Sequence, residues 1–391
     1  MIIPVFAIKN TFRAGIKSWL NAFVLSLSIV SIIWLQGLYK GMYDQGTRAM
    51  IDAELGGGQY WVEGYDPYDP FSIEDSHGKI THVLSEMIKE KSAACILIAR
   101  GMLYKQGRMY SILIKGIDPE QEILSIPSGI LKEKNNGIIP ALIGTRMAKN
   151  SGLKKGDIFT VQWKDSKGVF DAMNFQVSEV MKTTVQNIDN NQIWISLNTM
   201  QKIFNMHSEA TIVTIKKDIK PVNAGLNWEF KNLDFLLQDM KTLVQAKTAG
   251  ASILYIILIF LAMIAVFDTQ TLSIFKRKKE ISTLIAMGMT KNKVIALFTL
   301  EGMAYDILAV IIAAIYGVPL LIFTAVKGWK MPAGTDTYGF ALGDVLYPVY
   351  SLNLVFWTLL FVFILTAIVS YVPSRKIAKI EPAKILRGST F

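Results

Sequence analysis

The sequence predicts an α-helical membrane protein: four transmembrane helices in a one-plus-three arrangement, with a large α+β extracytoplasmic domain between helices one and two. Three observations predict it. An uncharged apolar run over residues 19–39 is followed by a long, mostly polar stretch reaching residue 249. Three further apolar runs crowd into the last third, at residues 251–267, 307–326 and 352–372. Of the 391 residues, 51% are hydrophobic and only 18% charged, with a mean hydropathy of +0.35. Soluble chains carry about a quarter charged residues, and a helix needs about 20 apolar residues to cross a hydrocarbon core.

The elements follow in order. Residues 1–18 form an N-terminal tail with Lys9, Arg13 and Lys17, and residues 19–40 the first span. That apolar run is longer than the core of a secretory signal, and no small-residue cleavage site follows it before Lys40, Gly41 and Met42. It reads as an uncleaved anchor. Residues 41–249 form the extracytoplasmic domain. The second span, 250–268, is short but extends back through Gly250 and Ala249. A cytoplasmic loop covers 269–300, the third span 301–326, a short external loop 327–350, the fourth span 351–372 and a cytoplasmic tail 373–391.

Orientation follows the Lys and Arg residues, which collect on the cytoplasmic side. The tail before the first span, the segment holding Lys276, Arg277, Lys278, Lys279, Lys291 and Lys293, and the tail holding Arg375, Lys376, Lys379, Lys384 and Arg387 are all basic. The loop after the third span has only Lys327 and Lys330. Both termini are therefore expected inside. Residues 40–249 carry a net charge of +1, so nearly all of the overall +10 belongs to the membrane part. The basic balance reports topology and not nucleic acid, for which no basic–aromatic patch exists.

Within the domain, strands are expected over 94–98, 110–114, 159–163, 175–180, 193–195 and 210–215, with a hairpin turn at Lys164-Asp165-Ser166-Lys167-Gly168. A helix is expected over 196–204, with Ser196 or Asn198 near its N-cap. The single cysteine, Cys95, sits in an apolar run and reads as a small buried hydrophobe. His77, His82 and His207 have no metal-ligand spacing. No nucleophile elbow, cofactor motif or G-x-x-x-x-G-K-(S/T) phosphate loop occurs, so any ATP-driven work needs a separate ATPase.

The loop Phe275-Lys276-Arg277-Lys278-Lys279-Glu280-Ile281-Ser282-Thr283-Leu284-Ile285-Ala286-Met287-Gly288-Met289-Thr290 is the most informative stretch. Lys276, Arg277, Lys278 and Lys279 suit a membrane anchor on anionic headgroups. Ile281, Leu284, Ile285 and Gly288 fall on one stripe of a short helix. Gly288 suits its C-terminal cap and Thr290 the N-cap of the next helix. By pattern alone such a helix suits either a motor's grip or the lipid interface. In the spans, Gly37-x-x-x-Gly41 and Ala313-x-x-x-Gly317 have the spacing of close helix packing, and Pro319 is expected to kink the third span. Asp268, Glu301 and Asp306 are the candidate intramembrane polar residues. A solvated helix end is the competing reading for the two aspartates, and Asp306 also suits pairing across a subunit interface.

Glu280-Ile281, Leu284 and Ala286-Met287-Gly288 resemble the E-I…L…A-(L/M)-G stretch of ABC-transporter permeases of the MacB/FtsX/lipoprotein-releasing superfamily. Ser282 stands where a glycine is usual, and Ile285 where a basic residue is usual. Glu301 matches that family's acidic residue at the third span. Pro373-Ser374-Arg375-Lys376-Ile377-Ala378 and Glu381-Pro382-Ala383-Lys384-Ile385-Leu386-Arg387 resemble its tail. Ile143-Gly144-Thr145-Arg146-Met147-Ala148 through Gly152-Leu153-Lys154-Lys155-Gly156-Asp157 is similar to a domain motif. Lys115-Gly116-Ile117-Asp118-Pro119 is similar to the lipoprotein-releasing branch.

The resemblance implies a non-enzymatic permease subunit of a bacterial inner (cytoplasmic) membrane. Two such chains would assemble with two ATPase subunits, contacted through Glu280, Ile281, Leu284, Ile285, Met287, Gly288 and Met289. It also implies mechanotransmission to the outer domain, lipoprotein release as the work, and lipoproteins and a periplasmic carrier as partners. An FtsX-like scaffold regulating a cell-wall hydrolase, an efflux permease for peptides or drugs and a passive anchor are the alternatives.

Overall fold

The computed structural model describes residues 16–132, 137–183, 185–331 and 345–379. The N-terminal tail before residue 16 and the Glu381–Arg387 motif lie outside the described residues. Two compact units emerge, one built on residues 43–242 and the other on the long helices.

Among the described residues, four helices are long and apolar enough to cross a membrane. They are α1 (Ile16–Met50), α5 (Gln238–Lys276), α7 (Lys291–Lys327) and α8 (Leu352–Ser374). The 39 residues of α5 span about 58 Å at 1.5 Å per residue, well beyond a hydrocarbon core of about 30 Å. α5 thus runs past both ends of the apolar stretch and takes in residues 269–276, which the sequence assigned to a loop. Pro319 lies inside α7 without ending it.

The helices meet through Leu25, Ile29, Ala262, Met263, Leu308, Ala309 and Val362, all buried. Both small-residue motifs pack closely. A Cβ at Gly37 would stand 2.3 Å from Tyr350 Cε1, and one at Gly317 would stand 2.6 Å from Val30 Cγ2.

The other unit is an α+β domain on a nine-stranded sheet. Its strands are β1 (Gln59–Val62), β2 (Ala93–Lys105), β3 (Arg108–Ile117), β4 (Ile139–Gly144), β5 (Ile158–Lys164), β6 (Phe170–Met181), β7 (Gln192–Ser196), β8 (Ile212–Ile215) and β9 (Trp228–Lys231). The order is β9-β1-β8-β2-β3-β7-β4-β6-β5, and β5 pairs back onto β2 with Gly101 opposite Trp163. Six strands, from β2 round to β5, therefore close into a barrel, and β8, β1 and β9 extend from the first half of β2.

Closure sorts the side chains by the two-residue period of a strand. Ile112 and Ile114, Ala141 and Ile143, Val161 and Trp163, Phe175 and Val177, and Ile193 and Ile195 fill one core. Their alternate neighbour Trp194 packs in a second cluster outside. The β5–β6 hairpin turns where expected: the Asp165 carboxylate accepts from the Lys167 and Val169 amides, and Gly168 has φ +82°. Among the described residues, three helices of more than one turn lie among the strands, α2 (His82–Lys89), α3 (Thr145–Ser151) and, after β7, α4 (Leu197–Ile203), the last with Ser196 at its N-cap position but no capping hydrogen bond from its side chain.

The six expected strands are all present, whereas β1, β4 and β9 were not expected. β4 runs into the stretch from Ile143 to Asp157 that resembles a domain motif and carries no expected strand, and β1 and β9 are only four residues each. Cys95 is free and buried, and burial pushes its thiol up to about 12. His77 pairs with Glu209 at 2.5 Å, while His82 is exposed. No group of His, Cys, Asp or Glu suited to a metal occurs among the described residues.

Candidate functional site

The segment between α5 and α7 forms a short helix, α6 (Lys278–Ala286), followed by a reversal of the chain. The stop is a Schellman turn: the Met289 amide donates to the Leu284 carbonyl at 3.1 Å and the Gly288 amide to Ile285 at 3.0 Å. That closure puts Gly288 at φ +97°, a conformation that costs a residue with a Cβ. Thr290 occupies the N-cap position of α7 with extended backbone, but its side chain makes no capping bond.

The stripe on α6 faces inward. Ile281 is fully buried with Ile274, Val294, Ile295, Phe298 and Ile377, and Ile285 and Met289 pack against this cluster. Ile281 therefore belongs to the chain's own core and not to an outer contact surface. Ile377 comes from the tail motif beginning at Pro373, so two stretches distant in sequence share one small core. Leu284 is half-buried; Thr283, Ala286, Met287 and Gly288 are exposed.

A clamp of charge locks this arrangement. Arg277 lies between the last residue of α5 and the first of α6. Its Nε and Nη2 each donate to Glu280 at 2.7 Å, and its Nη1 donates to both oxygens of Glu301 at 3.0 and 2.8 Å. The guanidinium also stands 4.9 Å from the Phe298 ring centre. A planar fork of five N–H groups suits two carboxylates at once, which a lysine ammonium cannot match. The Glu280 hydrogen bond, with the two carboxylates, raises the Arg277 pKa, and Arg277 in turn lowers that of Glu280.

Arg277 is thus committed to protein carboxylates, which corrects its reading as a lipid anchor. Lys276 and Lys279 are exposed, and Lys278 lies 4.5 Å from the Phe275 ring.

The candidate intramembrane polar residues divide. Asp268 is exposed and Glu301 is held by Arg277. Asp306 is fully buried, which removes both the solvated helix end and the outer pairing surface. Its carboxyl faces Thr366, and neither oxygen makes a well-formed hydrogen bond. One turn towards the start of α7, a Cβ at Gly302 would stand 2.1 Å from Ser370 Oγ and 3.1 Å from Gln270 Nε2. Gln270, Thr366 and Ser370 are each fully buried. Sequence reasoning missed these three because it followed charge; the rule that polar residues in spans are costly would have found them.

The comparisons bear on this same region. Residues 252–382, from early in α5 to beyond α8, match the FtsX-like permease C-terminal family. Both sequence matches point to the ABC-transporter permease superfamily. It is similar to the ABC transporter permease MJ1507 of Methanocaldococcus jannaschii, 25% identical over 254 residues. That match covers 60% of this chain and 58% of the relative, so the chain spans little more than half the relative's length. Among solved structures, it matches the extracellular domain of the ABC-type transporter YknZ from Gram-positive bacteria at 13% identity and a TM-score of 0.26. That match covers 41% of this chain and 83% of that one. As a permease homologue with several apolar helices, this is a multi-pass membrane protein.

Proposed function

We propose that this permease works by borrowing a motor: a separate ATPase docks on the exposed side of α6, and its stroke reaches the outer domain through α1 and α5. The observation that carries the reading is the Arg277 clamp. It fixes α6 to the base of α7 through Glu280 and Glu301 while leaving Met287, 71% exposed, free for a partner. A large apolar side chain on the edge of a charge-clamped helix is a surface a second protein can cover. A rigid attachment is also what passing a push from α6 into α7 requires.

In this reading both termini and the α6 segment face the cytoplasm of a bacterial inner membrane. Two permease chains assemble with two ATPase subunits. The work is release of lipoproteins from the outer leaflet, supported by likeness to the lipoprotein-releasing branch. One of those likenesses has a packing role here. A Cβ at Gly116 would stand 2.8 Å from Met200 Sδ, so that glycine is required by the fold whatever the cargo.

The test is recovery of the ATPase with the tagged permease in mild detergent. Met287→Asp is expected to abolish recovery without changing insertion or thermal midpoint, and unchanged recovery refutes the docking surface. Glu280 is a poorer probe because reversing its charge also breaks the clamp. Mass spectrometry of the same preparation reads the cargo. Lipid-modified proteins support release, and a cell-wall hydrolase in their place transfers the assignment to a scaffold.

A further inference from the structure

The domain holds a cavity of about 760 Å³ that the motor scheme does not use. Small-molecule sites occupy about 300–1,000 Å³. Its lining combines an aromatic cluster with charges that do not suit an empty space. Trp61 meets Tyr65 edge-on at 5.1 Å and Phe235 at 5.9 Å. Among them, Lys231 Nζ stands 4.9 Å from the Phe235 ring centre.

The polar lining is unusual. Lys115 is only 6% exposed, and lysine is almost never buried without a close partner. Its ammonium stands over the Trp194 ring, 5.1 Å from the centre, and reaches Glu54 Oε1 only at 3.5 Å, beyond the 2.7–2.9 Å of a charge-assisted hydrogen bond. Gln192, 7% exposed, lines the same cavity, and its Oε1 has no hydrogen-bond partner among the described residues. A buried acceptor left unsatisfied costs stability, so a chain that keeps one in a cavity wall gains from something that donates to it. Burial, then Glu54 and Asp66, raise the Tyr65 phenol, which stays protonated as a further donor.

We infer that this cavity is a binding site for a short peptide with free termini. A carboxylate takes the donors that Lys115 leaves unspent. A backbone N–H reaches Gln192 Oε1, a buried oxygen, once that side chain turns towards the cavity. The peptide's ammonium meets a lining that also holds Glu54, Asp66 and Asp239. An apolar side chain lies against Trp61, Tyr65 and Phe235. Lys115 on one side and Glu54, Asp66 and Asp239 on the other give the lining both signs of charge, which a peptide with free termini can meet at its two ends. The lining includes Glu54, in the π-helical turn directly after α1, and Asp239, in the first turn of α5. A bound peptide therefore touches the roots of two spanning helices, where occupancy biases their motion.

The site stands apart from the docking of a motor, because binding is read without ATP or ATPase. The experiment is isothermal titration of the full chain in nanodiscs with a tripeptide carrying a central phenylalanine. Binding at one site is expected, weakened about tenfold (about 1.4 kcal/mol) by N-acetylation or by C-amidation. Gln192→Leu is expected to weaken binding by at least the same factor while its thermal midpoint stays level or rises. Lys115→Met is expected to remove the preference for a free carboxylate. No binding at millimolar tripeptide, equal binding of the doubly blocked peptide, or unchanged binding by Gln192→Leu overturns the inference.

Discussion

Replacing Arg277 by methionine tests the clamp directly. The substitution keeps an unbranched apolar stem against Phe298 but removes the fork. Two carboxylates lose it, and they differ in burial. Glu280 has a side chain 47% exposed, and such pairs contribute about 0.2–1 kcal/mol. The Glu301 side chain is 4% exposed, and breaking a buried pair costs about 3–5 kcal/mol because a charge stays behind in a poor solvent. The guanidinium itself is 21% exposed and Glu301 keeps other contacts, which places the expected loss near the lower bound, about 3 kcal/mol.

The double variant Arg277→Met with Glu301→Met removes both charges, and its loss is expected to fall to about 1 kcal/mol or less, since buried pairs exchange for apolar residues at little cost. Denaturation of the full chain in detergent measures each variant. Equal losses in the single and double variants, or a single-variant loss no larger than that of Glu280→Gln, refutes the argument that Glu301 is held by Arg277.

Three further outcomes are expected. The Glu280 carboxylate is held below its usual value of 4.5 by Arg277, so its contribution is present above pH 4.5 and fades as pH falls through the lower folded value. A stability–pH profile should show this fall in the parent and not in Glu280→Gln. Gly302→Ala puts a Cβ 2.1 Å from Ser370 Oγ, whereas at Gly288 a Cβ meets nothing within 4 Å. The first should cost about 1–3 kcal/mol by overpacking and be relieved by Ser370→Gly. Gly288→Ala should cost about 1–2 kcal/mol from backbone strain alone, with no rescue at position 370. Cys95, its thiol raised to about 12 by burial, should resist maleimide at neutral pH until the chain is unfolded; prompt labelling of the folded protein would contradict its place in the core.

What the sequence determined by itself is local. Apolar runs close to the thickness of a bilayer core name the four long helices. The short β-rich runs name six of the nine main strands, and Gly288 marks the end of α6 because a left-handed residue is read from its type alone. Even the correct stripe on α6 left its direction open, and Ile281 turned inward to the base of α7.

The tertiary structure decided everything that needs partners far apart in sequence. Barrel closure joins β2 to β5 with Gly101 opposite Trp163, a pairing no periodicity specifies. The clamp selects Glu301 for Arg277 from 24 positions away. The cavity draws Glu54, Trp61, Lys115, Gln192 and Phe235 from separate elements. Secondary structure responds to the side chains of a few neighbours. A buried charge pair or an unsatisfied glutamine exists only once packing has excluded water, and that exclusion is a property of the folded chain.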